Sequence, residues 1–314
     1  MAPPDLTARP LGLAEVIDRS VALGLRHFRP LFLTMLGIQA VALVLARQLP
    51  GLEVLTVVGD PVRAGELLQR ASRTVALVTL ALLLLQSLAL GAVAAIVAPS
   101  LDPRRDAPRP SRSRAAAAVA TASVLQVLLI AAAPVVGAVP GALLAVRAES
   151  LATAAVGIVG AVAGSLGLFL VATLRLMLAP AAAALEGRAG LAALARSSRL
   201  MSPRPGGRLL ERPGVRASLV LLAMLVLAVA VDALAGIPRA IALRVQAGGV
   251  GLEVLGTQLS LPVDIVVSLL ETVAGAALQP FSLVAMVVLY FDRRARREAL
   301  DLESWAERLE GGSA

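Results

Sequence analysis

Three observations predict an all-α polytopic membrane protein: six long apolar stretches in 314 residues, a charged fraction of only 16%, and arginines gathered at alternate ends of those stretches. Ordinary soluble domains carry roughly 25% charged residues. Here 58% of the chain is apolar and the mean hydropathy is +0.84, a balance that a water-soluble globule does not tolerate.

A hydrocarbon core of about 30 Å takes around 20 helical residues. Ahead of the first span, Leu11 to Phe28 places Leu13, Val16, Ile17, Val21 and Phe28 near one face, with Glu15, Asp18, Arg19 and Arg26 among the intervening positions. That pattern predicts a helix lying along the interface. Span 1 is Leu31 to Ala46, lengthened by Phe28 and by Arg47, whose stem can snorkel. Span 2 is Thr74 to Ala98. Span 3, Ala115 to Val146, is longer than a bilayer needs, and Pro134 and Pro140 permit a bend. Span 4 runs from Leu151 to Leu176; its Gly157, Gly160, Gly164 and Gly167, three and four apart, permit close helix contact within the bundle or between chains.

A second interfacial helix, Gly190 to Met201, sets Leu191, Leu194 and Met201 on one face and Arg196 with Arg199 on another. Span 5 is Ala217 to Gly236, and span 6 is Ile265 to Tyr290 with a kink expected near Pro280. A third interfacial helix continues from Asp292 to about Leu309. The chain therefore reads as one integral membrane domain, with an interfacial helix in 1–30, a six-span bundle in 31–290 and a C-terminal helix in 291–314.

Orientation follows from the arginines. The N-terminal segment, the connections after spans 2 and 4, and the C-terminal segment carry 22, against 7 in the alternate connections, which predicts both termini in the cytoplasm of an inner membrane. The first 30 residues are charged and amphipathic, so span 1 reads as an uncleaved anchor.

All 29 basic residues are Arg. Without Lys there is no Walker A loop, no Schiff-base enzyme and no retinal attachment. His27 is the single His and Cys is absent, which removes His/Cys zinc sites, disulfides and thiol catalysis. No cofactor and no metal are expected. The net charge of +8 is explained by topology, and no set of base-stacking aromatics accompanies it, so nucleic acid is not an expected partner.

Ionisable and polar residues inside spans are the candidate sites, since a charge at the bilayer centre costs at least about 2.5 kcal/mol. Asp232 in span 5 and Glu271 in span 6 lie at similar depths; they share a proton, bind a cation, pair with Arg239, or simply reach interfacial water. Gln86 and Gln126, near the middle of spans 2 and 3, read as amide glue between helices. Arg175, at the end of span 4, snorkels to lipid phosphate or satisfies Glu186.

The stretch Leu185-Glu186-Gly187-Arg188 with Ala193-Leu194-Ala195-Arg196-Ser197 resembles the signature of bacterial membrane proteins known as the glycerophosphoryl diester phosphodiesterase membrane domain. Tyr290-Phe291-Asp292-Arg293-Arg294, closing in Asp301-Leu302-Glu303, is similar to the end of that family, and Ala14-Glu15-Val16-Ile17-Asp18-Arg19-Ser20 is similar to its opening helix. In the namesake proteins this region is joined to a soluble phosphodiesterase barrel that carries the metal-binding His and acidic residues. One His cannot reproduce that site, so the resemblance implies a membrane domain and no phosphodiesterase activity.

The expected role is non-catalytic. A cytoplasmic collar formed by Arg188, Arg196, Arg199, Arg293, Arg294, Arg296 and Arg297 engages anionic lipid head groups or a membrane-protein partner, with the bundle as scaffold. The rival reading is a small transporter or permease component that uses Asp232 and Glu271.

Overall fold

A computed structural model describes residues 11–47, 61–101, 111–202, 236–247 and 259–298, with isolated positions between 215 and 234. Among the described residues every regular element is an α-helix, as the sequence predicts. In chain order these are α1 (Leu13–Arg26), α2 (Phe28–Ala46), α3 (Pro61–Leu101), α4 (Arg112–Val146), α5 (Leu151–Leu176), α6 (Ala179–Glu186), α7 (Leu191–Met201), α8 (Ile237–Ala247) and α9 (Leu261–Glu298). Among the described residues, five stretches are long and apolar enough to cross a membrane: Phe28–Leu45, Arg73–Leu101, Ser113–Val146, Leu151–Glu186 and Leu261–Arg297. The remaining expected span, 217–236, is described only at scattered positions; those described within 218–234 are helical.

Three elements differ from expectation. α3 starts at Pro61 rather than Thr74. Proline is well suited to a first helical turn, and the straight-chain residues Glu66, Leu67, Leu68, Gln69 and Arg70 favour its continuation. α6 and α8 are short helices where the sequence indicates only connections. The prolines at 134, 140 and 280 interrupt neither α4 nor α9.

α9 is the central element and packs against α1, α2, α3, α6, α7 and α8. Its C-terminal half carries the core: Val284, Val287, Val288, Leu289 and Tyr290 are buried with Leu31 and Met35 of α2, Val93 and Val97 of α3, Leu178 and Leu200. α1 docks on this same half rather than resting on lipid alone. Val16 and Leu23 are buried there, and a Cβ on Gly24 would run into the Phe281 ring, so glycine sets that close approach. Apolar packing is thus concentrated at one end of the bundle, called here the collar end, where α1, α6, α7 and the end of α9 meet.

α4 and α5 form a helical hairpin of a different kind. A Cβ on Gly137 would fall on the Gly164 carbonyl, one on Gly141 on the Ala161 amide, and one on Gly157 on the Ala145 amide. The small-residue stripe of α5 therefore serves contact within the bundle at Gly157 and Gly164, while Gly167 meets nothing within 4 Å. Ser150 caps α5 by accepting the Thr153 N–H at 3.2 Å.

Candidate functional site

Two polar clusters lie at opposite ends of α9. Nineteen residues separate Glu271 from Tyr290, which at about 1.5 Å per residue is about 28 Å, close to the thickness of a bilayer core.

The collar cluster is built around Glu186, the last residue of α6. Gly187 follows it in the left-handed conformation, φ 67°, which ends the helix and turns the chain towards α7. The Glu186 side chain is only 7% exposed and is held from three directions. Arg196 of α7 donates from Nε at 2.9 Å and from Nη2 at 2.8 Å, and Arg188 donates from Nε at 2.8 Å. The Tyr290 hydroxyl, brought by α9, donates to the same carboxylate.

Two residues after Tyr290, the buried Asp292 carboxylate accepts the Leu11 N–H at 2.8 Å and Arg296 Nε at 3.0 Å, while Arg296 Nη2 donates to the Leu11 carbonyl at 2.8 Å. Arg297 donates to the Ser202 carbonyl at 2.6 Å. The break between α5 and α6 is closed by Ser197, whose hydroxyl accepts the Leu178 N–H at 3.2 Å and donates to the Arg175 carbonyl at 2.7 Å. Without that hydroxyl, backbone groups freed by the break would lie buried without a partner.

Most of the collar arginines expected to face a lipid or partner are engaged within the protein. Arg293 is 3% exposed, Arg294 is half-buried, and both have partners there, as do Arg196, Arg296 and Arg297. Arg199 is exposed and Arg188 is 48% exposed. Arg175 is also exposed, and the acid it was a candidate to satisfy, Glu186, is held by the three donors above.

The far cluster joins α2, α8 and α9. Arg239 grips Glu271 with two parallel bonds, Nε to Oε1 at 2.8 Å and Nη2 to Oε2 at 3.0 Å. It also reaches Asp264 at 3.3 Å and Ser268 at 3.1 Å. Arg47, at the end of α2, donates to Asp264 at 2.8 Å and to Ser268 at 3.4 Å. The hydrogen bond to Glu271, reinforced by the charges of Glu271 and Asp264, holds the Arg239 guanidinium above its ordinary value against the opposing effect of burial. The four charged side chains keep between 28% and 39% of their surface exposed.

Of the intramembrane candidates, Glu271 is therefore paired with Arg239, one of the alternatives the sequence left open. Asp232 lies outside the described residues. Gln126 is buried and accepts from the Ser87 hydroxyl at 3.4 Å, whereas Gln86 is exposed. Sequence reasoning passed over Gln39 of α2 and Gln279 of α9, whose side-chain amides pair with each other. The rule that singles out Gln86 and Gln126, an amide inside an apolar span, finds both. Among the described residues no group of three or more His, Cys, Asp or Glu is placed to hold a metal.

Compared with known proteins, the chain matches no family model, no curated protein and no solved structure.

Proposed function

We propose that this membrane protein is a non-catalytic scaffold of a bacterial inner membrane, with both termini cytoplasmic and its collar presented to anionic phospholipid or to a membrane-protein partner. The observation that carries this reading is the collar cluster itself. Glu186, Tyr290, Asp292 and Arg296 hold α1, α6, α7 and α9 in one fixed arrangement, a platform rather than a reaction centre. From it the charges of Arg199 and Arg188 face outward, and Arg175 is exposed nearby on the chain.

Membership of the glycerophosphoryl diester phosphodiesterase membrane-domain family is part of the same proposal. It gains support from the meeting of two stretches that carry the resemblance: Leu185-Glu186-Gly187 and Tyr290-Phe291-Asp292 converge at the Tyr290 to Glu186 hydrogen bond. The transporter reading has less support, because the Glu271 carboxylate is neutralised by the two-toothed grip of Arg239.

The test is thermal unfolding of the detergent-solubilised protein with added phosphatidylglycerol or phosphatidylcholine. A larger rise in Tm with phosphatidylglycerol is expected, fading as salt is raised. The Arg175→Gln, Arg199→Gln double variant, at two exposed side chains, is expected to lose that difference while keeping its lipid-free Tm. An unchanged preference for phosphatidylglycerol in this variant overturns lipid recognition by the collar. A single protein copurifying in near-stoichiometric amount would then mark the partner.

A further inference from the structure

Arg29 stands in the first turn of α2 at the collar end, and Arg47 caps the helix at the far end. Eighteen residues separate them, about 27 Å of helix, which matches the hydrocarbon thickness of a bilayer. The far cluster, whose Asp264 and Ser268 meet Arg47, therefore stands at the level where hydrocarbon gives way to lipid head groups. Its charged side chains are not closed off from their surroundings: Arg47 keeps 39% of its surface exposed and Asp264 keeps 28%. An ionised group is costly to leave against hydrocarbon, so that open surface calls for a polar partner.

The two side chains have bonding capacity left, and of opposite kinds. A guanidinium offers five N–H donors; both bonds of Arg47 leave from Nη2, and the three donors on Nε and Nη1 are bonded to no described residue. A carboxylate has about four acceptor positions; Asp264 fills one on Oδ2 with Arg47 and one on Oδ1 with Arg239. Arg239, by contrast, uses all three nitrogens on Glu271, Asp264 and Ser268. Spare donors and spare acceptors thus sit side by side, on two residues joined at 2.8 Å, within a cluster whose two guanidinium groups and two carboxylates cancel. Towards the bilayer centre the surface turns apolar, with Val44 and Val41 of α2 and Val266 and Leu269 of α9 all exposed.

We propose that Arg47 and Asp264 form a head-group site for a zwitterionic phospholipid bearing a primary ammonium, phosphatidylethanolamine. The lipid phosphate accepts from Nε and Nη1 of Arg47, its ammonium donates to Asp264, and its acyl chains run along Val44 and Val41. Charge favours this occupant. A phosphate with no cation of its own would leave the Asp264 carboxylate beside it unbalanced, and the quaternary ammonium of phosphatidylcholine has no N–H to donate. The site lies at the opposite end of α9 from the collar and does not rest on the collar reading.

The probe is a head-group series in which only the ammonium changes: phosphatidylethanolamine, its N,N-dimethyl form and phosphatidylcholine, with three, one and no N–H. Each is titrated onto the detergent-solubilised full chain, and bound lipid is read by native mass spectrometry. Affinity is expected to fall stepwise along the series, by about tenfold from end to end. Asp264→Asn is expected to shrink that difference to less than about twofold, and Arg47→Gln to weaken all three lipids alike by about tenfold. The Arg175→Gln, Arg199→Gln variant is expected to leave the series unchanged, which tells failure at the collar from failure here. Equal affinity across the series in the wild-type chain overturns the proposal without reliance on any variant, as does a preference that survives Asp264→Asn. Displacement of the lipid by an equal concentration of phosphoethanolamine, which lacks acyl chains, overturns the lipid as occupant.

Discussion

The two ends of α9 handle charge in opposite ways. At the collar end Glu186 is withdrawn from water, 7% exposed, and its carboxylate is held by Arg196, Arg188 and the Tyr290 hydroxyl. At the far end Asp264, Glu271, Arg47 and Arg239 use similar groups at similar distances, yet each remains 28% to 39% exposed. Geometry alone would rank the two clusters as equals. Burial separates them, because a buried pair that loses one partner leaves an uncompensated charge, whereas a hydrated pair returns to water. The collar is therefore the fixed joint of the molecule and the far cluster is its separable one.

The sharpest way to break this comparison is Glu186→Ala. It removes the common acceptor of three donors and is expected to destabilise by about 3 to 5 kcal/mol, read as a large loss of Tm in detergent. A loss no greater than that caused by Glu271→Ala would show that burial does not distinguish the clusters. Next in size is Asp292→Asn, which weakens the attachment of Leu11 and Arg296. A cost of about 1.5 to 3 kcal/mol is expected, with faster proteolysis of the segment around α1 as an independent readout.

Glu271→Gln comes third. Its partner is more than a third exposed, so the expected loss is about 1 kcal/mol or less despite the two-toothed geometry. The smallest effect sharpens the contrast furthest. Raising salt to about 1 M, where the screening length is about 3 Å, is expected to erase most of the difference between wild type and Glu271→Gln and to leave that of Glu186→Ala in place.

Much of this arrangement is legible in the amino-acid sequence. The long apolar runs give the helix class and five of the expected spans, because hydrocarbon length and hydropathy are local properties. α1 and α7 follow from amphipathic spacing, though the face of α1 that is buried includes Leu23 and Gly24, while Val21 and Phe28 remain exposed. α6 leaves no periodic signal: it is eight residues long, is mostly alanine and follows α5 without a polar gap.

The cluster partners are legible only where they lie close in sequence or depth. Arg239 and Glu271 fall at matching depths in adjoining segments, which makes their pairing a named alternative. Tyr290 and Glu186 are 104 positions apart, and nothing in either neighbourhood announces the other. Ser197 is quieter still. A serine inside a basic amphipathic helix reads as surface, and its role emerges only because α5 breaks directly opposite it.

The α4 and α5 hairpin carries a consequence for how the chain enters its membrane. α5 packs chiefly on α4, its neighbour in sequence, and touches the rest of the protein mainly through α7 at the collar end. The glycine contacts that join them are made along the hairpin's own length, so the pair needs no later helix to complete its interface. During synthesis the two helices can leave the insertion machinery side by side as a finished unit. α2 and α3 must instead wait for α9, made last among the described spans, before their core has a centre. The bundle therefore has a built-in order of assembly, with its most local piece settled first and its central helix arriving at the end.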